Sequence, residues 1–417
     1  MNAGAQTLHA FEGYGIELEY MIVDRERLSV LPVADRLLAL ASDGRDYAVT
    51  HGTMGWSNEL VMHVIEIKNE APAPAPSLAP LPAAFRQEVG IVNRMLEPMG
   101  ACLMPGAMHP WMDPQVETRI WPHQNQAIYQ AYDRIFDSRG HGWANLQSMH
   151  INLPFADDGE FARLHAAVRL VLPLIPALAA SSPFVDGRDS GFADYRMEVY
   201  RHNADRVPSI AGMVVPETVS SRREYERAIL EPMYRDIAAL DPDRVLQHEW
   251  LNSRGAIARF DRNAIEIRVV DTQEHPGADL ALAAGICSVV RRLYERGDLA
   301  QQQDIGTAAL AVILQSCIEK GDEAQVSDSH YLRMLGCPGD GYSAGQLWRL
   351  LLEPALAGGG TGPAALLEPL EMVLRHGPLA RRIRQAAQGG GARKGLEPVY
   401  RRLCECLAHG SAFLPDD

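Results

Sequence analysis

Polar and apolar residues alternate along the segment 14–24, YGIELEYMIVD. Ile16, Leu18 and Tyr20 fall on one face, Gly15, Glu17 and Glu19 on the other. Period-two alternation marks a strand with one covered face. The signature recurs at 46–69, which predicts two strands around a Gly55–Trp56 turn, and at 146–155, where Met149, Ile151, Leu153 and Phe155 oppose Ser148, His150 and Asn152. Segment 255–272 predicts a hairpin turning at 261–263, and 101–114 a strand running into a turn. Between these, apolar spacing predicts helices within 27–44, over 83–100, over 125–140 through Ile128, Tyr132, Ile135 and Phe136, and over 160–184. From Asp279 onward the period is almost wholly helical, with Gly-rich breaks at 358–362 and 389–391. The segment APAPAPSLAPLP, 71–82, cannot be a helix interior or a central strand and reads as a surface connector. No internal repeat is visible.

The expected class is therefore α+β, an antiparallel sheet with helices on its apolar face. A catalytic unit over 1–300 and a helical region packed on it over 301–417 are the expected division. The 417 residues, 47% hydrophobic and 22% charged, suffice for a large core. The net charge of −14, with no block of Lys and Arg, argues against nucleic-acid partners. An anionic ligand would need local arginines or bridging cations. The six cysteines form no CxxC pair and read as reduced thiols; Cys404 and Cys406, two apart in a helical context, are weak grounds for zinc. The longest apolar stretch, 168–180, carries two prolines and is too short to cross a membrane. With no basic–apolar leader at the N-terminus, the expectation is a cytoplasmic protein without membrane partners.

The polar faces of the strands carry the candidate chemistry. Glu17 and Glu19 share a face about 7 Å apart, a repulsive pair unless water or a cation separates them. Glu59, His63 and Glu66 come from the strand after Gly55, His150 from 146–155, and Arg259, Glu266 and Arg268 from the hairpin. If these strands share a sheet, the acids and one imidazole converge opposite the helices. Such an oxygen-rich set suits Mg²⁺ or Mn²⁺. Taken singly, each residue has a plainer reading: solvated acids at Glu17 and Glu19, structural histidines at His63 and His150, an ion pair at Glu266 and Arg268. Repetition across separate strands favours the site. Glu59 and Glu66 are seven apart and so face opposite sides of a regular strand; serving one site requires a bulge, or Glu59 ahead of the strand. No GxxxxGK[ST], GxGxxG or GxSxG motif is present.

In chain order, GIELEYMIVD, NELVMHVIEIKNEAP, QSMHINLPF, AASSPFVDGRDSG and NSRGAIARFDRNAIEIRVVDT resemble the glutamate–cysteine ligase superfamily, nearest to its bacterial carboxylate–amine ligases. The resemblance covers roughly 13–295 in pieces. It implies a glutamine synthetase-like curved antiparallel sheet with helices on its convex face and a helical C-terminal third. The implied reaction is ATP-dependent amide formation through an acyl phosphate, from L-glutamate and cysteine or another amine. By matched position, Glu17, Glu19, Glu59, Glu66, His150 and Glu266 would be metal ligands, and Arg268, with Glu266, would act on the transferred phosphoryl group. Arg259, Arg254 and Arg196 would bind ATP or a substrate carboxylate. His109, at a family HP turn, would line the pocket or cap the turn. Homo-oligomers are common in the family. Ser182 replaces a usual Asn, and AMHPWMDP departs from GTHPF, which leaves the substrate pair open. A guanidino kinase-like phosphotransferase, a non-catalytic nucleotide- or amino-acid-binding regulator and a metal-dependent hydrolase are the competing readings.

Overall fold

The computed structural model describes residues 7–44, 46–74, 78–337, 339–356, 364–387 and 393–415. The Gly-rich breaks at 358–362 and 389–391, and positions 75–77 of the connector, lie outside these residues. The strands are β1 (Gly13–Asp24), β2 (Val49–His51), β3 (Met54–Asn58), β4 (Val64–Asn69), β5 (Ala73–Pro74), β6 (Ala101–Met104), β7 (Ser148–Pro154), the small hairpin β8 (Phe184–Val185) and β9 (Arg188–Asp189), β10 (Ala256–Arg259), β11 (Ala264–Asp271), and the short pair β12 (Gln325–Val326) and β13 (Tyr342–Ser343). Among the described residues one large sheet runs β10-β11-β7-β1-β4-β3-β2, with β5 and β6 also on β1. All its pairings are antiparallel. β1 pairs with four strands and is the frame on which the others are registered.

Alternation explains the layering. Ile16, Leu18, Tyr20, Ile65, Ile67, Met149, Ile151, Leu153, Ile265 and Ile267 are fully buried in one cluster. Helices Leu81–Leu96, Asp158–Val171 and Pro276–Glu295 cover this face with Phe85, Val92, Leu164, Val168, Leu280 and Ile286. Truncating one such Ile or Leu to Ala costs about 2–5 kcal/mol. A one-residue slip would expose the whole set, so the apolar face holds the register that aims the opposite face.

Segment 46–69 contains three strands, not two. The hairpin turn lies at Gly52–Thr53, where Gly52 has φ +65°, and Gly55 and Trp56 sit inside β3. A Cβ on Gly55 would lie 1.7 Å from Glu70 Oε1, the end of an exposed side chain that would have to swing aside. The helical run Asp158–Ala179 starts at Asp157, whose carboxylate accepts from the Glu160 amide, and continues through Pro173 and Pro176 by way of a 3₁₀ turn at Leu172–Leu174. It therefore has the length and apolarity of a membrane span, but 94% of its apolar window is buried inside this fold.

The C-terminal helices share the core. Leu310, Leu314, Trp348 and Leu351 belong to the main cluster, and Trp348 Nε1 donates to the Leu174 carbonyl at 2.7 Å. Helix Arg393–His409 packs Tyr400 and Leu403 against Met21, Val23 and Met104. All six cysteines are free thiols.

Candidate active site

The face opposite the helices collects the acids in two rows. In one row His150 of β7, Glu17 of β1 and Lys68 of β4 are direct cross-strand neighbours. In the other, Glu19 of β1 faces Glu66 of β4, which faces Ser57 of β3. Glu266 of β11 lies opposite Asn152 of β7. Glu59 lies between β3 and β4, ahead of the regular strand, and this frees it from the alternation that would have turned it away from Glu66. Two groups of donor atoms result, Glu17–Glu66–His150 and Glu19–Glu59–Glu66, each with its atoms within 4.8 Å of one another. Glu66 belongs to both.

Hydrogen bonds fix this arrangement. His150 Nδ1 donates to Glu17 Oε2 at 3.0 Å, and its Nε2 donates to Ser148 Oγ at 2.9 Å. Ser148 gives both its amide (2.7 Å) and its hydroxyl (3.1 Å) to Glu19 Oε2. Asn152 Nδ2 donates to Glu17 Oε1 at 3.2 Å. Glu266 is gripped from two sides: Arg268 Nε donates to Oε1 at 2.7 Å and Arg259 Nη1 to Oε2 at 3.2 Å. A β-bulge between Ile267 and Val270 lies beside Arg268. Such bulges re-aim side chains next to sites.

Burial and mutual charge set the ionisation of these groups. Burial and the charges of Glu19 and Glu66 push the Glu59 carboxyl well above its usual range. Burial and Glu17 raise Glu66, against the pull of Lys68. Burial opposes ionisation of Glu17 too, but the His150 hydrogen bond and charge bring it down to about 2. Burial disfavours charge on His150, yet its bond to Glu17 and the charges of Glu19 and Glu266 lift it to about 9. For Glu266, Arg268 and His150 outweigh burial and hold the carboxyl below its ordinary value. A set of clustered carboxylates with one imidazole, two of whose acids resist ionisation through burial first and like charge second, is chemically suited to hard divalent cations.

Three expected binding residues are engaged within the fold rather than gathered with the acids. His109 is fully buried; its Nε2 donates to the Leu28 carbonyl at 2.6 Å and its Nδ1 accepts from the Trp111 amide at 3.3 Å, so neither nitrogen is free to line a pocket. Arg254 is clamped by Glu217 at 2.6 and 2.7 Å, and its third nitrogen bonds Asn252 Oδ1 and the Ser209 and Ile210 carbonyls. Arg196, also buried, pairs through Nε with Asp271 and braces the Arg268 carbonyl at 3.4 Å. Ser181 and Ser182 of the SSPF segment bond the same Asp271, so this motif ties down the end of β11. His63 donates to the Ala144 carbonyl at 2.8 Å and is structural. Sequence reasoning assigned no role to Lys68, Ser57, Ser148 or Asn152. Period-two spacing from Glu66 and His150 was the available signal for Lys68, Ser148 and Asn152; nothing local marked Ser57.

With this geometry in view, the comparisons are informative. Residues 14–402 match the family model for glutamate–cysteine ligase family 2. An uncharacterized protein of Archaeoglobus fulgidus is 35% identical over 310 residues, 74% of this chain and 80% of that protein. A Rubrobacter xylanophilus protein, provisionally named glutamate–cysteine ligase 2-3, is 28% identical over 278 residues, 65% of this chain and 66% of its own. A crystal structure of glutamate–cysteine ligase from Francisella tularensis in complex with AMP shares the fold: TM-score 0.58 at 11% identity, covering 97% of this chain and 90% of that one. The chain belongs to glutamate–cysteine ligase family 2, a family of ATP-dependent ligases.

Proposed function

We propose that this chain forms an amide bond between a carboxylate donor, L-glutamate or a close analogue, and cysteine or another small amine, with ATP cleaved to ADP and phosphate. The observation that carries the reading is the single sheet face bearing Glu17, Glu19, Glu59, Glu66, His150 and Glu266, bounded by Arg259 and Arg268. One donor oxygen attacks the γ-phosphorus and ADP leaves. The amine then attacks the acyl carbon, phosphate departs and the amine gives up a proton. This route needs positioned positive charge more than a protein nucleophile.

The donor set fits Mg²⁺ or Mn²⁺, with Glu17, Glu66 and His150 as one ligand group and Glu19, Glu59 and Glu66 as the other. Cations held there supply charge neutralisation to the phosphate oxygens. The chain's own contribution is orientation. Glu266 holds the Arg268 guanidinium in one plane, and Arg196 and Asp271 brace the strand behind it. A guanidinium so fixed is matched to the equatorial oxygens of a transferring phosphoryl group. Arg259, bonded to Glu266 and Asp261, is available to a second anionic group at the hairpin edge.

The test is release of ADP and phosphate with Mg²⁺ across a panel of amino acids paired with amines, with amide products identified by mass. Turnover that needs both a carboxylate and an amine is expected. Absence of ATP cleavage with every pair would refute the reading, and a phosphorylated guanidino product without amide would favour the phosphotransferase alternative.

A further inference from the structure

Lys68 is the feature of the site that the ligase reading leaves unused. Its ammonium lies 2.6 Å from Glu66 Oε1 and donates to Ser57 Oγ at 3.0 Å. The Ser57 hydroxyl donates to the same Glu66 oxygen at 2.7 Å. The backbone of Lys68 is directly opposite Glu17, and Glu17 and Glu59 add to the negative field on its ammonium. Glu66 is the one carboxylate common to both potential cation sites. The Lys68 ammonium thus holds the oxygen that two cations would share.

We propose that Lys68 is a tethered counterion: it occupies Glu66 when cations are absent, opposes their entry as free ions, and turns to the phosphate oxygens when nucleotide arrives, so that cation and nucleotide loading are coupled. The geometry permits the exchange. The Lys68 side chain is 30% exposed, and its four-carbon stem lets the ammonium move several ångströms with the backbone of β4 unchanged. A divalent ion approaching Glu66 meets a fixed positive charge within the same carboxylate's reach, which lowers its affinity. An anionic triphosphate removes that obstacle by offering Lys68 a new partner while bringing ligand oxygens of its own. Two binding steps that each relieve the other's electrostatic cost are thermodynamically linked, and the linkage is reciprocal.

The inference rests on the ligase reading only in that cation and nucleotide share this face. It is tested by titrating the full chain with Mn²⁺, following free Mn²⁺ by electron paramagnetic resonance, with and without the non-hydrolysable analogue β,γ-imido-ATP, in wild type, Lys68→Met and Lys68→Arg, and counting as protein-bound only the Mn²⁺ taken up beyond what the analogue binds alone. Wild type should bind Mn²⁺ at least tenfold more tightly with the analogue than without it. Lys68→Met should tighten Mn²⁺ binding at least tenfold in its absence and shrink the coupling, whereas Lys68→Arg, which keeps the charge, should resemble wild type. A lysine needed only for packing would leave Mn²⁺ affinity unchanged or weaker in Lys68→Met. That result, with wild type binding Mn²⁺ normally, would overturn the role of Lys68 and leave the ligase reading standing. Failure of wild type to bind Mn²⁺ under either condition would overturn both.

Discussion

Replacing Glu59 by Gln should make the protein more stable when cations are removed and less able to hold them. Glu59 feels the charges of Glu19 and Glu66 more than the opposing ones of His150 and Lys68, and no donor among the described residues bonds its carboxylate. Its carboxyl is raised well above the ordinary value in the folded chain, by burial first and by the Glu19 and Glu66 charges next. Between the unfolded and the folded value the native state binds more protons than the unfolded chain, so stability falls as pH rises across that window. The slope is at most ~1.4 kcal/mol per pH unit. Glu59 is only partly covered, so water reduces this figure. For a chain of this length 1 kcal/mol corresponds to about 1 °C in Tm. In EDTA, the Glu59→Gln variant should therefore melt higher than wild type by a margin that grows, at about 1 °C per unit, as pH rises above the ordinary carboxyl value of 4.5. With Mn²⁺ and a nucleotide analogue the order should reverse, because a carboxylate ligand has become an amide. Differential scanning calorimetry at four pH values, with and without the cation, measures both. A variant that melts lower in EDTA at pH 8, or a margin flat in pH, would refute the view that Glu59 is held against its neighbours' charge.

Acid should destabilise the fold through three buried histidines that are not among the proposed ligands. Burial lowers His63 to about 4 and His109 and His165 to about 3, so the unfolded chain takes up their protons first as pH falls below about 6.5, and stability is lost at up to ~1.4 kcal/mol per pH unit for each. Urea unfolding of a His165→Leu variant should show a shallower fall between pH 6.5 and pH 4 than wild type; equal slopes would remove His165 from the account. Arg268→Lys should lower kcat on the order of 10²–10³-fold, because an ammonium cannot keep both the Glu266 bond and a flat face toward the phosphoryl oxygens. Turnover within fivefold of wild type would exclude Arg268 from the reacting centre.

The part of the candidate site legible in the sequence was the part written in local periodicity. Glu17, Glu19, His150, Glu266 and Arg268 are read from alternation within single strands, since a buried opposite face leaves one choice of register. The odd spacing of Glu59 and Glu66 could be turned into a structural expectation for the same reason, and Glu59 does precede the regular strand. What could not be read was partnership at a distance. Arg254 finds Glu217, Arg196 finds Asp271, and His109 finds the Leu28 carbonyl, each across 37 to 81 positions of chain. Nothing local distinguishes an arginine aimed at a ligand from one clamped by a carboxylate. The misplaced turn has a similar origin: Gly52 and Gly55 look alike in sequence, but Gly52 takes the left-handed conformation of the turn while Gly55 pairs with Thr50 and Lys68 inside the sheet. Lys68 was visible by the same alternation as Glu66, but a lysine at a strand end reads as solvated until Ser57 is seen beside it.

The central claim is that a carboxylate is activated as an acyl phosphate on this sheet face. It is tested most directly by giving the enzyme, with Mg²⁺ and ATP, the accepted donor labelled with ¹⁸O in its reacting carboxylate, together with an amine, and analysing the released phosphate by mass. The account predicts one ¹⁸O in each phosphate formed along with amide. Unlabelled phosphate accompanying amide product would contradict it.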